Sequence, residues 1–147
     1  MATTTATITL ASTDLLSDEL ALTTTATLTQ AGNSTGLTGT SGLGRKTVSG
    51  GHAQYTLFDG SDYTADKAHK LYLKNTSTTA AEYFLITVNA EDVGRLYAGD
   101  WAFFPWSCDL SAAANDSTIE LQAFTASNTI EYALFHVGET LATASDS

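Results

Sequence analysis

The sequence predicts an all-β fold, a β-sandwich or jelly-roll-like domain with a Thr/Gly-rich N-terminal arm or added strands. Three observations lead there. Short apolar–polar alternations recur between polar turns, and no stretch of ten or more residues has a helical period. Thr and Ser fill more than a quarter of the 147 residues, with 26 Thr and 13 Ser. Thr suits a pleated, half-exposed surface because its branched side chain restricts χ1 and its hydroxyl tolerates water. Strands of this kind, short and turn-separated, belong to sandwiches and barrels. A hydrophobic fraction of 43% and a single Pro exclude a wholly disordered chain. The length suits one domain that buries about 68% of its extended surface. We divide it into an arm over residues 1–50, a core over 51–140 and a frayed tail over 141–147.

The arm opens with an internal copy. Thr3-Thr4-Thr5-Ala6-Thr7-Ile8-Thr9 returns as Thr23-Thr24-Thr25-Ala26-Thr27-Leu28-Thr29, and each copy predicts a strand. Ala6, Ile8 and Leu10 fall on one side, with Thr5, Thr7 and Thr9 on the other. Residues 12–20 between the copies read as a turn or short helical turn. Residues 32–51 read as a loop, since Gly32, Gly36, Gly39, Gly42, Gly44, Gly50 and Gly51 deny regular structure its stability.

The core then supplies strands in order. Residues 53–58 form one, closed by the turn Asp59-Gly60-Ser61-Asp62. Lys70-Leu71-Tyr72-Leu73-Lys74 puts both leucines inward and both lysines outward. The strongest core strand runs from Glu82 to Val88, with Phe84, Ile86 and Val88 on one face. Strands at 93–97 and 101–106 follow, joined by Ala98-Gly99-Asp100. After a polar, Ala-rich connection over 107–117 comes the final pair, 118–124 and 129–137. Glu82-Tyr83, Leu85 and Val88 echo Glu131-Tyr132, Leu134 and Val137, which suggests equivalent strands in two halves of one sandwich.

The net charge of −10 is unevenly spread. Residues 1–44 hold three acids and no base, 45–95 hold all six bases against six acids, and 96–147 hold seven acids and no base. Such a surface repels nucleic acid backbones and anionic membranes, so neither is an expected partner. The small basic cluster suits an acidic protein partner. Nothing approaches 18 consecutive apolar residues, and Met1-Ala2-Thr3-Thr4 has no basic n-region, so neither a membrane span nor a secreted precursor is expected. Cys108 stands alone and reads as a small buried hydrophobe, with no disulfide framework.

Chemistry-specific spacing is missing. Gly42-Leu43-Gly44-Arg45-Lys46 lacks the phosphate-loop pattern, and Asp59, Asp62 and Asp66 lack the EF-hand spacing. His52, His69 and His136 are scattered, no GxSxG elbow occurs, and His69 shares register with Leu71 and Leu73 as a structural histidine. The expectation is no enzyme, no metal and no cofactor.

The densest signal is Trp101-Ala102-Phe103-Phe104-Pro105-Trp106. Alternation sends Trp101 and Phe103 one way and Phe104 and Trp106 the other, and one set fills the interior. The other must meet a loop, a neighbouring subunit or a ligand, because contiguous exposed aromatics are uncommon on a soluble monomer. Pro105 removes a ladder donor and marks an edge or strand end. Trp101, Phe103, Phe104 and Trp106, with Arg95, Arg45 and Lys46, are the candidate interface residues.

Leu71-Tyr72-Leu73-Lys74-Asn75, Glu82-Tyr83 through Val88, and Gly94-Arg95-Leu96-Tyr97-Ala98-Gly99-Asp100 running into the aromatic stretch resemble small β-sandwich structural proteins of tailed bacteriophages, including cyanobacterial and marine phages. The resemblance covers roughly residues 67–137. It implies a non-enzymatic virion component assembled in the bacterial host cytoplasm. The implied role is capsid cement or decoration on the major capsid protein lattice, as a homotrimer or dimer, with a tail or neck component as the alternative. A carbohydrate- or receptor-binding β-domain is the rival that the aromatic surplus keeps open.

Overall fold

The computed structural model describes residues 4–15, 18–28, 37–63, 68–107 and 117–137. Eleven strands lie among them: β1 (Thr5–Ser12), β2 (Leu20–Thr27), β3 (Gly39–Thr40), β4 (Gly44–Val48), β5 (Gln54–Asp59), β6 (Ala68–Asn75), β7 (Tyr83–Val88), β8 (Glu91–Tyr97), β9 (Trp101–Ser107), β10 (Thr118–Ala123) and β11 (Asn128–His136). The all-β expectation holds, and every pairing is antiparallel. Cys108, Asp66, Lys67, most of the 107–117 connection and the 141–147 tail lie outside the described residues.

The pairings are nested. β7 pairs with β8, β6 with β9, β5 with β10 and β4 with β11, as if one long hairpin had been wound on itself. Two further pairings, β10 with β7 and β11 with β6, join these into two sheets. Their orders are β5-β10-β7-β8 and β4-β11-β6-β9, with β3 adding a short pair on the β4 side of β11. β1 and β2 make a separate two-stranded sheet.

One hydrophobic core joins the two larger sheets. Phe58, Phe84, Ile86, Leu96, Ile119, Leu121 and Ala123 come from one, and Val48, Leu71, Leu73, Trp106, Ile130 and Leu134 from the other. The alternation in β6 is clean: His69, Leu71, Leu73 and Asn75 are buried while Lys70, Tyr72 and Lys74 are only partly covered. A buried amide needs full pairing, and Asn75 has it. Its Nδ2 donates to the carbonyls of Leu96 at 2.9 Å and Glu82 at 3.3 Å, and its Oδ1 accepts from Asn128 Nδ2 at 3.1 Å and Ser77 N at 3.0 Å. The interior polar hub thereby fixes the ends of four strands.

Two sequence-level expectations change. Within the segment read as a Gly-rich loop, residues 39–40 and 44–48 are strands, and Val48 belongs to the core. The glycines serve close approach rather than flexibility. A Cβ on Gly39 would strike the His136 ring, and one on Gly44 would lie 2.7 Å from the Tyr132 ring. The echo between 82–88 and 131–137 also fails as equivalence. The two strands lie in opposite sheets as expected, but Phe84 and Ile86 face inward in β7, leaving Tyr83 and Leu85 outside. In β11 the matching Tyr132 and Leu134 face the core.

The β7–β8 turn takes only two residues, Asn89 and Ala90, with φ of 50° and 66°. That conformation is the hairpin turn whose twist matches its strands. Asn tolerates the left-handed region, whereas Ala sits there under strain. Asn89 Oδ1 accepts from Trp106 Nε1 at 3.1 Å, so the turn also fixes the largest core ring.

Candidate functional site

Strand alternation sorts the aromatic stretch. Trp106 is 1% exposed, beside Phe58, Tyr63 and His69 with ring centroids 5.9–6.5 Å apart. Phe104 is half-buried and packs against the same core. Both rings thus face the interior, Trp106 fully enclosed and Phe104 partly covered. Trp101 and Phe103 point the other way, onto the outer face of the β4-β11-β6-β9 sheet, and Trp101 is 51% exposed. β9 is an edge strand, which accounts for Pro105 in its length.

Register builds the rest of this face. One cross-strand row reads Arg45, Glu131, Lys74, Trp101, and the next reads Ala133, Tyr72, Phe103. Arg45 donates to Glu131 Oε2 from Nε at 2.9 Å and from a terminal nitrogen at 2.8 Å. The Tyr72 hydroxyl donates to Glu131 Oε1 at 3.2 Å. The guanidinium holds the Glu131 carboxyl below its ordinary pKa, helped by Tyr72 and Lys74. Burial, followed by the neighbouring Glu131 charge, raises the Tyr72 phenol. Both carboxylate oxygens are thus engaged, and the group is a poor general base. The face is suited to stacking and docking.

The N-terminal hairpin lies over part of it. Ala6, Thr7 and Ile8 line a cleft of about 350 Å³ with Tyr72, Lys74, Trp101 and Phe103. A smaller cavity of about 190 Å³ brings Ile8, Thr24, Ala26 and Leu28 against Lys70 and Phe103. Leu28, at 3% exposure, is the apolar plug at the hairpin's base, tied by its N–H to the Thr4 carbonyl at 2.8 Å. Burial lowers the Lys70 pKa, and its Nζ donates to the Ala68 carbonyl at 2.9 Å.

The basic candidates scatter. Arg45 belongs to the face but is held by Glu131 of its own chain. Lys46 sits over the Tyr55 ring at 5.0 Å, beside β5. Arg95 is on the outer face of the other sheet, over the Tyr83 ring at 4.6 Å. Tyr72, Glu131 and Lys74 complete the face and were not singled out from the sequence. Their only signal was the outward half of the β6 and β11 alternations, which needs strand register to become a site.

Register also brings His69 and His136 to 6.3 Å between centroids, with Tyr63 5.1–6.0 Å from both. Among the described residues no group of three or more His, Cys, Asp or Glu could hold a metal ion. Asp59 instead accepts from Ser61 N at 2.9 Å, and Asp100 from Tyr97 N at 3.1 Å. Comparison of the chain with family models, with curated proteins and with solved structures finds no match.

Proposed function

We propose that this chain is a non-enzymatic structural protein of a virion, a cement or decoration protein that docks on the major capsid protein lattice. The observation that carries the proposal is the half-exposed Trp101 beside Phe103, on an edge strand, next to an ordered Arg45–Glu131–Lys74 row. A large rigid ring is the usual anchor at the centre of a protein contact, and charged groups belong to its polar rim. We read the nested strand order as a jelly roll, two Greek keys in eight strands, an architecture used by viral capsid and lectin domains. Fold alone does not fix function. The lattice adds what a small contact lacks, because many weak contacts presented together bind strongly.

Sedimentation tests the role. Purified protein is mixed with phage capsid shells stripped of accessory proteins, and binding is expected for the wild type and Lys70→Ala but not Trp101→Ala. Absence of wild-type binding to shells and to tail or neck assemblies overturns it. The second reading is a carbohydrate-binding domain, favoured by the cleft that places the Trp101 ring near the polar groups of Thr7, Tyr72 and Lys74. A glycan-array signal lost in Trp101→Ala would select that reading.

A further inference from the structure

The N-terminal hairpin has an edge chemistry unlike that of any other strand edge among the described residues. β8 is guarded by Glu91, Asp92 and Arg95, β9 by Pro105, β5 by Asp59 and β4 by Arg45 and Lys46. β3 is only two residues long. Charges, prolines and short lengths are how sheets avoid pairing with other chains. β1 and β2 are eight residues each and contain no charged residue and no Pro. Neither outer edge is paired with another strand among the described residues.

The hairpin is also the pairing of one sequence with its own copy. Thr5-Ala6-Thr7 lies antiparallel to Thr27-Ala26-Thr25, and Thr9 faces Thr23. Hydroxyl contacts join Thr7 to Thr25 at 2.7 Å and Thr9 to Thr23 at 3.3 Å. The Leu28 N–H bond to the Thr4 carbonyl fixes the phase of the ladder. By the alternation of an antiparallel pair, Ala6, Ile8 and Leu10 then exchange bonds across the hairpin, while the backbone groups of Thr5, Thr7, Thr9 and Ala11 point outward. On β2 the outward set is Ala21, Thr23, Thr25 and Thr27. Beyond the covered base, Leu10 and Leu22 face each other at 47% and 46% exposure.

We infer that the hairpin is a self-association element, whose outer edge pairs antiparallel with the hairpin of a second copy to make a continuous sheet. Charge selects the occupant. Two copies at −10 each repel over most of their surfaces, and the uncharged hairpin is where they approach without that opposition. The same Thr-Ala-Thr repeat that pairs within one chain is offered at its edges, so strand addition needs no new sequence match. This contact is separate from docking through Trp101.

The test is sedimentation velocity of the full chain over a wide concentration range. The wild type is expected to reach at least twice the 15.4 kDa monomer mass. Thr7→Pro combined with Thr25→Pro removes outward N–H groups and the Thr7–Thr25 hydroxyl contact, leaves the internal backbone ladder its donors, and is expected to sediment as a monomer. Thr9→Lys combined with Thr23→Lys places charge on the same edges without Pro, and should be monomeric at low salt and regain the dimer at high salt. Trp101→Ala should keep the wild-type mass even where shell binding is lost, which separates this contact from the docking role. A wild type that stays monomeric at every concentration overturns the inference, as does retention of the wild-type mass by both double variants.

Discussion

The two outer faces of the domain carry similar rings in opposite circumstances. On the β5-β10-β7-β8 sheet, Tyr83 stacks on Phe124 at 4.5 Å, meets Tyr97 at 5.2 Å and lies under Arg95. Tyr83 at its centre is closed in by its own chain at 9% exposure, with Tyr97 at the rim 40% exposed. On the opposite face, Trp101 and Phe103 stack on no other ring among the described residues, and the uncharged hairpin covers them incompletely. An outward aromatic residue is therefore not in itself a site. What distinguishes Trp101 is that its own chain leaves half of the ring bare.

Truncation of the interior ring sets the scale for this contrast and has the largest expected effect. Trp106→Ala should cost about 3–5 kcal/mol of stability, because it leaves a cavity among Phe58, Tyr63 and His69 and takes the indole donor from Asn89 Oδ1. Tyr83→Ala should follow at about 2–3 kcal/mol, since it removes both the stack and the cation–π contact. Trp101→Ala should cost about 1 kcal/mol or less while abolishing docking. Denaturant unfolding beside co-sedimentation reads all three. Equal losses of stability for Tyr83→Ala and Trp101→Ala would erase the distinction between the faces.

A smaller effect concerns the turn that joins β7 and β8, the strands of Tyr83 and Tyr97. Ala90 has φ of 66°, where glycine is relaxed and alanine is not. Ala90→Gly should stabilise the domain by about 1 kcal/mol, measured as a rise in Tm with shell binding unchanged. An unchanged or lowered Tm would mean that the β7–β8 turn carries no strain to relieve.

The strands of this fold were largely legible because burial on one side imposes a period of two. Leu71 and Leu73, Phe84 and Ile86, and the division of Trp101 and Phe103 from Phe104 and Trp106 all follow from that period. The two Thr copies could be read as strands, and their mutual pairing makes physical sense once both are present. Three features stayed hidden for one common reason, that sequence does not give register. Glycines at 39 and 44 looked like loop markers, yet they sit where β11 presents the rings of His136 and Tyr132. Glu131 is 86 residues from Arg45 and joins it only through the β4–β11 ladder. Which aromatic pair would fill the core depended on which sheet face β9 turned inward, and alternation cannot choose between two faces of equal hydrophobicity.

The two arginines extend the contrast between the faces into pH. Glu131 is held below the ordinary glutamate pKa, chiefly by its hydrogen bonds from Arg45. A depressed folded pKa means a stabilising contribution that is complete above the unfolded value, about 4.3, and is lost as pH falls through the folded value. Arg45→Ala should therefore be slightly less stable than the wild type at neutral pH, and the two stability curves should converge in that acidic window. Arg95 lies over Tyr83 and is influenced chiefly by Tyr97 and Tyr83, which are phenols and not carboxylates. The deficit of Arg95→Ala should stay constant from neutral pH through the same window. Carboxyl NMR titration of Glu131 supplies the site-specific readout, with an upward shift in Arg45→Ala and none in Arg95→Ala. Convergence of both variants, or of neither, would show that the charged row beside Trp101 is not electrostatically distinct from the aromatic cluster around Tyr83.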